Sequence, residues 1–394
     1  MTATVRQPMA PRAVDEPHRV STPLELLFDL TVVVAVARAA AELAHTIEAG
    51  HLGSAPVSFL MVFFAVWWAW MNFSWFASAY DVDDVPYRLL TLVQMAGVLV
   101  LAAGVPAAFE DGDLRAVTVG YVVMRVALIV QWLRAAAADP ERRMTALRYA
   151  AGISVVQVGW LLRLLLSGPA SGASSAALVI AELMVPLLAE RGSMTTWHPH
   201  HIAERYGLLT IIVLGESVLG VSVAIAPQVG DHPLQPDLLL VAGGGLLLLF
   251  ALWWVYFLKP AGRTLEERRD WAFRWGYGHY GVFASLAALG AGLEVAAVRA
   301  LHPVQASDPA IAWAVSLPVA VFLLLIWALH LPSSPAPVRQ GVTVGVLALL
   351  TLVPPVGCSV GLPLPWAVVA TALPPVALVV LGVARASRDQ ADRA

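Results

Sequence analysis

The groups able to do chemistry in this chain crowd where Trp197-His198-Pro199-His200-His201-Ile202-Ala203-Glu204-Arg205-Tyr206-Gly207 runs into Leu208-Leu209-Thr210-Ile211-Ile212-Val213-Leu214-Gly215-Glu216-Ser217. His198, His201 and Glu204 recur every third residue, so a helix beginning at Pro199 lines them along one side. That spacing suits a divalent cation held by imidazole and carboxylate. It equally suits a hydrogen-bonded cluster that titrates near neutral pH. Glu216 lies about 18 Å deeper than Glu204 if the segment is helical, with hydrocarbon on every side. A carboxyl group there either carries an ion or proton, or stays protonated and bonds a helix neighbour. Ser217 is able to bond its own backbone.

A second polar stretch opens the apolar part of the chain. Ser21-Thr22-Pro23 reads as an N-cap with proline in the first turn. Glu25 and Asp29 follow at i, i+4 and share one helix face. Glu25 fits an interfacial carboxylate favoured by the helix dipole, whereas Asp29 sits a turn deeper and asks for a function. Arg38, Glu42 and His45 form a further stripe that can satisfy itself at the far interface.

These groups need apolar elements to hold them. The chain is 59% apolar and 13% charged, about half the charge of a soluble domain, with many apolar windows long enough to span a bilayer. The reading is an all-α polytopic membrane protein with about twelve transmembrane helices, near 24–45, 57–79, 88–109, 115–135, 146–166, 174–190, 205–227, 237–258, 273–298, 310–331, 341–360 and 366–384. Arg and Lys collect before the first span, after the fourth, sixth and eighth, and after the last. Both termini and the histidine loop are therefore expected in the cytoplasm of a cell whose plasma membrane the chain crosses repeatedly. A single cysteine, Cys358, excludes an intramolecular disulfide. Nothing in the charge pattern points to nucleic acid. No nucleotide loop, serine-hydrolase elbow or Asp-rich diphosphate motif occurs.

Phe64-Ala-Val-Trp-Trp-Ala-Trp70 in the second span answers Phe250-Ala-Leu-Trp-Trp-Val-Tyr256 in the eighth. Glu25 answers Glu204 at the mouths of the first and seventh. The expected organisation is a disordered cytoplasmic tail (1–22), two same-orientation six-helix repeats (23–196 and 197–384) and a C-terminal tail (385–394), with sites between the repeats. Among other buried polar groups, Arg125 and Arg163 call for carboxylate partners, and Asp29, Glu182 and Glu216 are the candidates. The tryptophans near 67–80 read as interface anchors and packing.

Thr22-Pro-Leu-Glu-Leu-Leu-Phe-Asp-Leu30 and His198-Pro-His-His-Ile-Ala-Glu-Arg-Tyr-Gly-Leu-Leu-Thr-Ile-Ile-Val-Leu-Gly-Glu-Ser217 resemble the bacterial low-temperature requirement protein A family. Glu25, Phe28, Asp29, His198, His201, Glu204, Arg205, Gly207, Gly215, Glu216 and Ser217 match its signature blocks. The family name implies a membrane protein and no particular reaction. Leu27-Phe28-Asp29 is more remotely similar to the first pore helix of endolysosomal-type two-repeat potassium channels, from which Leu27, Arg38 and the histidines depart.

Three readings follow. In the first, the protein is a channel or transporter for a small ion or solute. Glu25, Asp29, Glu204, Arg205, Glu216 and Ser217 would bind ions or protons, and His198 and His201 would form the cytoplasmic mouth. In the second it is an intramembrane enzyme acting on a lipid or isoprenoid, with His198, His201 and Glu204 as metal or acid/base groups. In the third it is a sensor or scaffold without catalysis. The sequence names no cofactor. The expected partners are the bilayer and a small ion or solute, and the sequence is compatible with a homo-oligomer.

Overall fold

A computed structural model describes residues 5–13, 16, 19–51, 53, 55–225, 235–333 and 336–391. Residues 1–4, 226–234 and 392–394, which include the ends of both expected tails and of the seventh expected span, lie outside the described residues. Within them every long element is an α-helix and no strand occurs. In chain order these are α1 (Pro23–Glu48), α2 (Ala55–Tyr80), α3 (Val85–Ala103), α4 (Val105–Glu110), α5 (Arg115–Ala138), α6 (Arg143–Arg163), α7 (Pro169–Ala189) and α8 (Pro199–Ile225). Then come α9 (Pro236–Phe257), α10 (Ala261–Glu267), α11 (Ala272–Leu301), α12 (Asp308–Leu329), α13 (Pro337–Leu350), α14 (Val353–Ser359) and α15 (Leu364–Ala391).

Helix starts follow local chemistry. Asp84 caps α3 by accepting from Tyr87 N–H at 2.8 Å, and proline opens α3, α7, α9, α12 and α13 where a missing N–H costs nothing. Nine helical stretches among the described residues are long and apolar enough to cross a membrane: α2, α3, α5, α7, α9, α11, α12, α13 with α14, and α15. The chain is thus a polytopic membrane protein. The remaining long helices, α1, α6 and α8, carry ionisable residues along their length.

The chain divides into two compact units: Met1–Ala39 with Met61–Arg205, and Ala40–Leu60 with Tyr206–Ala394. In the first, α3 packs on α5, α5 on α6 and α6 on α7. A methyl group at Gly97 would lie 2.7 Å from the Gly120 carbonyl oxygen, so α3 and α5 touch through bare backbone. Phe28 stacks on Phe73 at 4.0 Å, fixing α1 against α2.

Where the sequence suggests a free tail, the described N-terminal residues lie against the corner between α2 and α3. Gln7 N–H donates to Asp84 Oδ2 at 3.0 Å, Arg12 N–H donates to the Ala79 carbonyl at 2.9 Å, and Met9 is buried. Arg19 pairs with Asp81 at 3.6 Å. The arginines that look like mere topology signals are held by carbonyl and carboxylate partners.

In the second unit α11 packs on α12 and α9 on α15. His279 of α11 is enclosed there by Tyr206, Trp275 and Phe283. Its Nε2 stands 3.1 Å from Tyr256 Oη and its Nδ1 2.7 Å from the Trp275 carbonyl.

Candidate functional site

The sequence of α2 decides where the polar groups of the first unit meet. Trp70, Ser74 and Ser78 are spaced i, i+4, i+8 and so share one face. Trp68 lies two residues before Trp70, about 200° round the helix. The two indoles point to opposite sides, and each finds a buried carboxylate.

On one side, Trp70 Nε1 donates to Asp29 Oδ1 at 2.7 Å. Arg205 grips the same carboxylate with both terminal nitrogens, Nη1 to Oδ2 at 2.8 Å and Nη2 to Oδ1 at 2.6 Å. Its Nη2 also reaches Ser74 Oγ at 3.2 Å. Asp29 and Arg205 are completely inaccessible. A two-pronged guanidinium–carboxylate pair is the strongest ion-pair geometry available to side chains. Arg205 Nε alone is left without a partner.

One turn away, Thr22 and Glu25 form a reciprocal cap on α1. Thr22 N–H and Oγ1 donate to Glu25 Oε2 at 2.7 and 2.9 Å, while Glu25 N–H donates to Thr22 Oγ1 at 3.3 Å. The second oxygen, Oε1, faces His201 Nε2 at 3.1 Å, both residues wholly buried. Neither Oε1 nor either His201 ring nitrogen completes a well-aligned hydrogen bond. The Asp29 carboxylate takes three aligned donors, whereas Glu25 Oε1 and His201 Nε2 face each other without one.

His198 caps α8, its Nδ1 accepting from His201 N–H at 3.2 Å, and its own N–H donates to Ser78 Oγ at 2.9 Å. Burial, then the neighbouring His200, lowers the His198 pKa. In the α2–α3 loop, burial raises Asp81 to about 6, with the charge of Glu25 adding to the effect and Arg19 and Arg12 opposing it.

On the other side of α2, Glu182 of α7 collects four donors. They are Trp68 Nε1 at 2.9 Å, Tyr121 Oη at 2.7 Å, Arg125 Nη2 at 2.7 Å and Gln157 Nε2 at 2.9 Å. Arg125 therefore pairs with Glu182, while Arg163 finds Ser175 and Ser171 instead of a carboxylate.

The structure thus brings Glu25, Asp29, His198, His201 and Arg205 together. Glu204 faces elsewhere: its Oε1 accepts from Ser21 N–H at 3.3 Å. No group of three His, Cys, Asp or Glu side chains placed to hold a metal ion occurs among the described residues, and Glu25 is what confronts His201. The metal arrangement of His198, His201 and Glu204 has no geometric support. Glu216 and Ser217 belong to the second unit. Ser217 Oγ donates to the carbonyl of Val213, one turn back in its own helix, at 3.2 Å. Glu216 is half-buried, within the electrostatic reach of Glu294, which also feels Glu48.

The residues that sequence reasoning missed are Trp70, Ser74, Ser78 and Trp68. Their helical spacing was present in the sequence, but tryptophans in an apolar helix look like packing. Their use as N–H donors shows only once the carboxylates face them.

The family model described as bacterial low temperature requirement A protein (LtrA) matches residues 20–384. An uncharacterised protein of Rhizobium meliloti (strain 1021) is 27% identical over 269 residues, covering 62% of this chain and 60% of that one. The chain therefore spans less than two thirds of that relative's length. No solved structure matches.

Proposed function

Because the chain belongs to the bacterial low temperature requirement A family, whose name states no reaction, we propose from its buried charges that it is a channel or transporter moving a small ion or solute across the plasma membrane. The observation that carries this reading is the Glu25–His201 pair, 3.1 Å apart and wholly buried, with Glu25 Oε1 and both imidazole nitrogens lacking aligned partners. Buried ionisable groups in membrane helices are costly and are kept for ion and proton pathways. In this reading His201 and Glu25 pass a proton between them. Arg205 and Asp29 hold α8 to α1, and His198 and Asp81 stand at the mouth. Glu216 serves as a second titratable carboxylate in the other unit, and Glu204 lies at the rim. Two six-helix repeats of one orientation, with both termini in the cytoplasm, remain part of the proposal.

The test is flux in reconstituted vesicles under K⁺, Na⁺ and H⁺ gradients, with wild type beside His201→Gln and Glu216→Gln. Gradient-dependent flux lost in His201→Gln, with expression and monodispersity intact, supports the reading. Wild type indistinguishable from empty vesicles under all three gradients defeats it.

A scaffold reading has its own support in the saturation of Asp29 by Arg205 and Trp70 and of Glu182 by four donors. It predicts charge variants that lose stability in a protein that carries no flux.

A further inference from the structure

The first unit holds four tyrosines, Tyr80, Tyr87, Tyr121 and Tyr149, all of them buried. Three donate to a carboxylate. Tyr80 Oη reaches Asp139 Oδ2 at 3.0 Å, Tyr121 Oη reaches Glu182 Oε1 at 2.7 Å and Tyr149 Oη reaches Glu190 Oε1 at 3.0 Å. Tyr87 differs. It is 1% exposed, and its hydroxyl finds no hydrogen-bond partner among the described residues. A buried hydroxyl left in that state is costly and rare in native proteins.

Local structure decides where this hydroxyl stands. Asp84 caps α3 by accepting from Tyr87 N–H, which sets Tyr87 in the first turn, next to the α2–α3 loop. Of the charges that reach the hydroxyl, Asp81 acts most strongly, followed by Glu25, Arg19 and Arg205. Other carboxylates at this end are engaged. Asp84 also accepts from Gln7 N–H and Arg134 Nη2, and Asp29 is held by Trp70 and Arg205. Glu25 Oε1, by contrast, completes no hydrogen bond, and Asp81 Oδ2 meets Arg19 Nη2 only at 3.6 Å. Asp81 and Glu25 also lie within reach of each other's charge. The Tyr87 hydroxyl is thus a protic group within reach of two open carboxylate oxygens.

We infer that the Tyr87 hydroxyl carries protons between Asp81 in the α2–α3 loop and the Glu25–His201 pair, so that the ion moved is the proton. This rests on the reading of the protein as a conductor of a small ion or solute. A phenol hydroxyl both donates and accepts. A proton leaving the Asp81 carboxyl arrives on a lone pair of Tyr87 Oη, and the Tyr87 O–H bond breaks as its own proton passes to Glu25 Oε1. Asp81 is left as carboxylate, Glu25 as carboxyl, and the phenol is regenerated. Each transfer crosses a bridging water, since no partner stands within bonding distance of Oη. Burial places Asp81 at about 6, close enough to neutral pH for it to take up and release a proton. Arg19 and Arg205 bring two positive charges to the same hydroxyl. A metal cation is repelled there, whereas a proton handed from carboxyl to hydroxyl never stands there as a free ion.

Tyr87→Phe removes only a hydroxyl that bonds nothing, so it separates the relay from the fold. The full-length protein is reconstituted in vesicles, and proton flux under a pH gradient is measured beside K⁺ and Na⁺ flux. The wild type should conduct protons, and Tyr87→Phe should conduct them at least about tenfold more slowly, having lost a positioned proton carrier. K⁺ and Na⁺ flux should stay at the level of empty vesicles. The unfolding midpoint of Tyr87→Phe in detergent should equal or exceed that of the wild type. Proton flux undiminished in Tyr87→Phe, or lost together with stability, overturns the relay and leaves conduction by the protein standing. K⁺ or Na⁺ flux that matches proton flux overturns the choice of ion alone. A wild type that conducts none of the three overturns this inference together with the reading beneath it.

Discussion

Arg205 holds Asp29 through two parallel hydrogen bonds of 2.8 and 2.6 Å, and both side chains are wholly buried. The two belong to stretches of sequence far apart, at the start of α1 and near the start of α8. Neither is tolerable there alone. An unpaired charge in such surroundings costs several kcal/mol, whereas an apolar pair of similar volume is often as stable as the ion pair.

Removing one partner is therefore far worse than removing both. Arg205→Met should destabilise the protein by about 3–5 kcal/mol by stranding the Asp29 carboxylate. Asp29→Leu combined with Arg205→Met should recover much of that loss. Denaturation in detergent, run as a double-mutant cycle, measures the coupling. Additive losses would contradict the pairing.

Trp68 and Trp70 of α2 should behave as separate circuits. Trp70→Phe and Trp68→Phe each remove one donor to a buried carboxylate, and each should cost about 1–3 kcal/mol. In the Asp29→Leu/Arg205→Met background the Trp70→Phe penalty should largely vanish, because its acceptor is gone. The Trp68→Phe penalty should persist there, since Glu182 is intact. Equal persistence of both would contradict the division of labour across α2.

The mouth of the site should show opposing pH responses. Asp81 titrates near 6 in the folded protein against 3.8 when unperturbed. The folded state holds that proton more tightly, so the Asp81 contribution to stability falls as pH rises from about 4 to about 6 and is constant above. Asp81→Asn should gain on wild type across that window, by on the order of 3 kcal/mol. His198 has a lowered pKa, so its contribution is present above about 6.5 and is lost as pH falls below it. His198→Gln should soften the acid side of the stability profile. Unfolding midpoints from pH 4 to 8 separate the two, and a profile unchanged in both variants would contradict the assignment.

Much of the architecture was legible because apolar length is a strong signal in a membrane chain. Most of each expected span falls on helix, although Gly104 interrupts the third and Thr351 and Leu352 the eleventh. Nine helical stretches among the described residues, where twelve spans were expected, are long and apolar enough to cross a membrane. Glu25, Asp29, His201 and Arg205 each stood out singly, since charge beside hydrocarbon is conspicuous in a sequence. Which charge met which was not legible. Arg125 has Glu182 where Asp29 and Glu216 were equally eligible, because pairing depends on how helices turn about their axes. Spacing along a single chain leaves that rotation undetermined. The His198, His201, Glu204 spacing misled for the same reason, as periodicity aligns side chains without saying what faces them. Across from His201 stands Glu25, and Glu204 turns to the backbone of Ser21.

The most direct measurement is proton flux into vesicles under an imposed pH gradient, comparing wild type, Glu25→Gln and Trp70→Phe. Glu25→Gln keeps the shape of the side chain and removes the proton acceptor, while Trp70→Phe weakens the neighbouring clamp without touching a titratable group. The account predicts wild-type flux, near-complete loss in Glu25→Gln and retention in Trp70→Phe. Wild-type flux undiminished in Glu25→Gln, or no flux from any of the three, would contradict it.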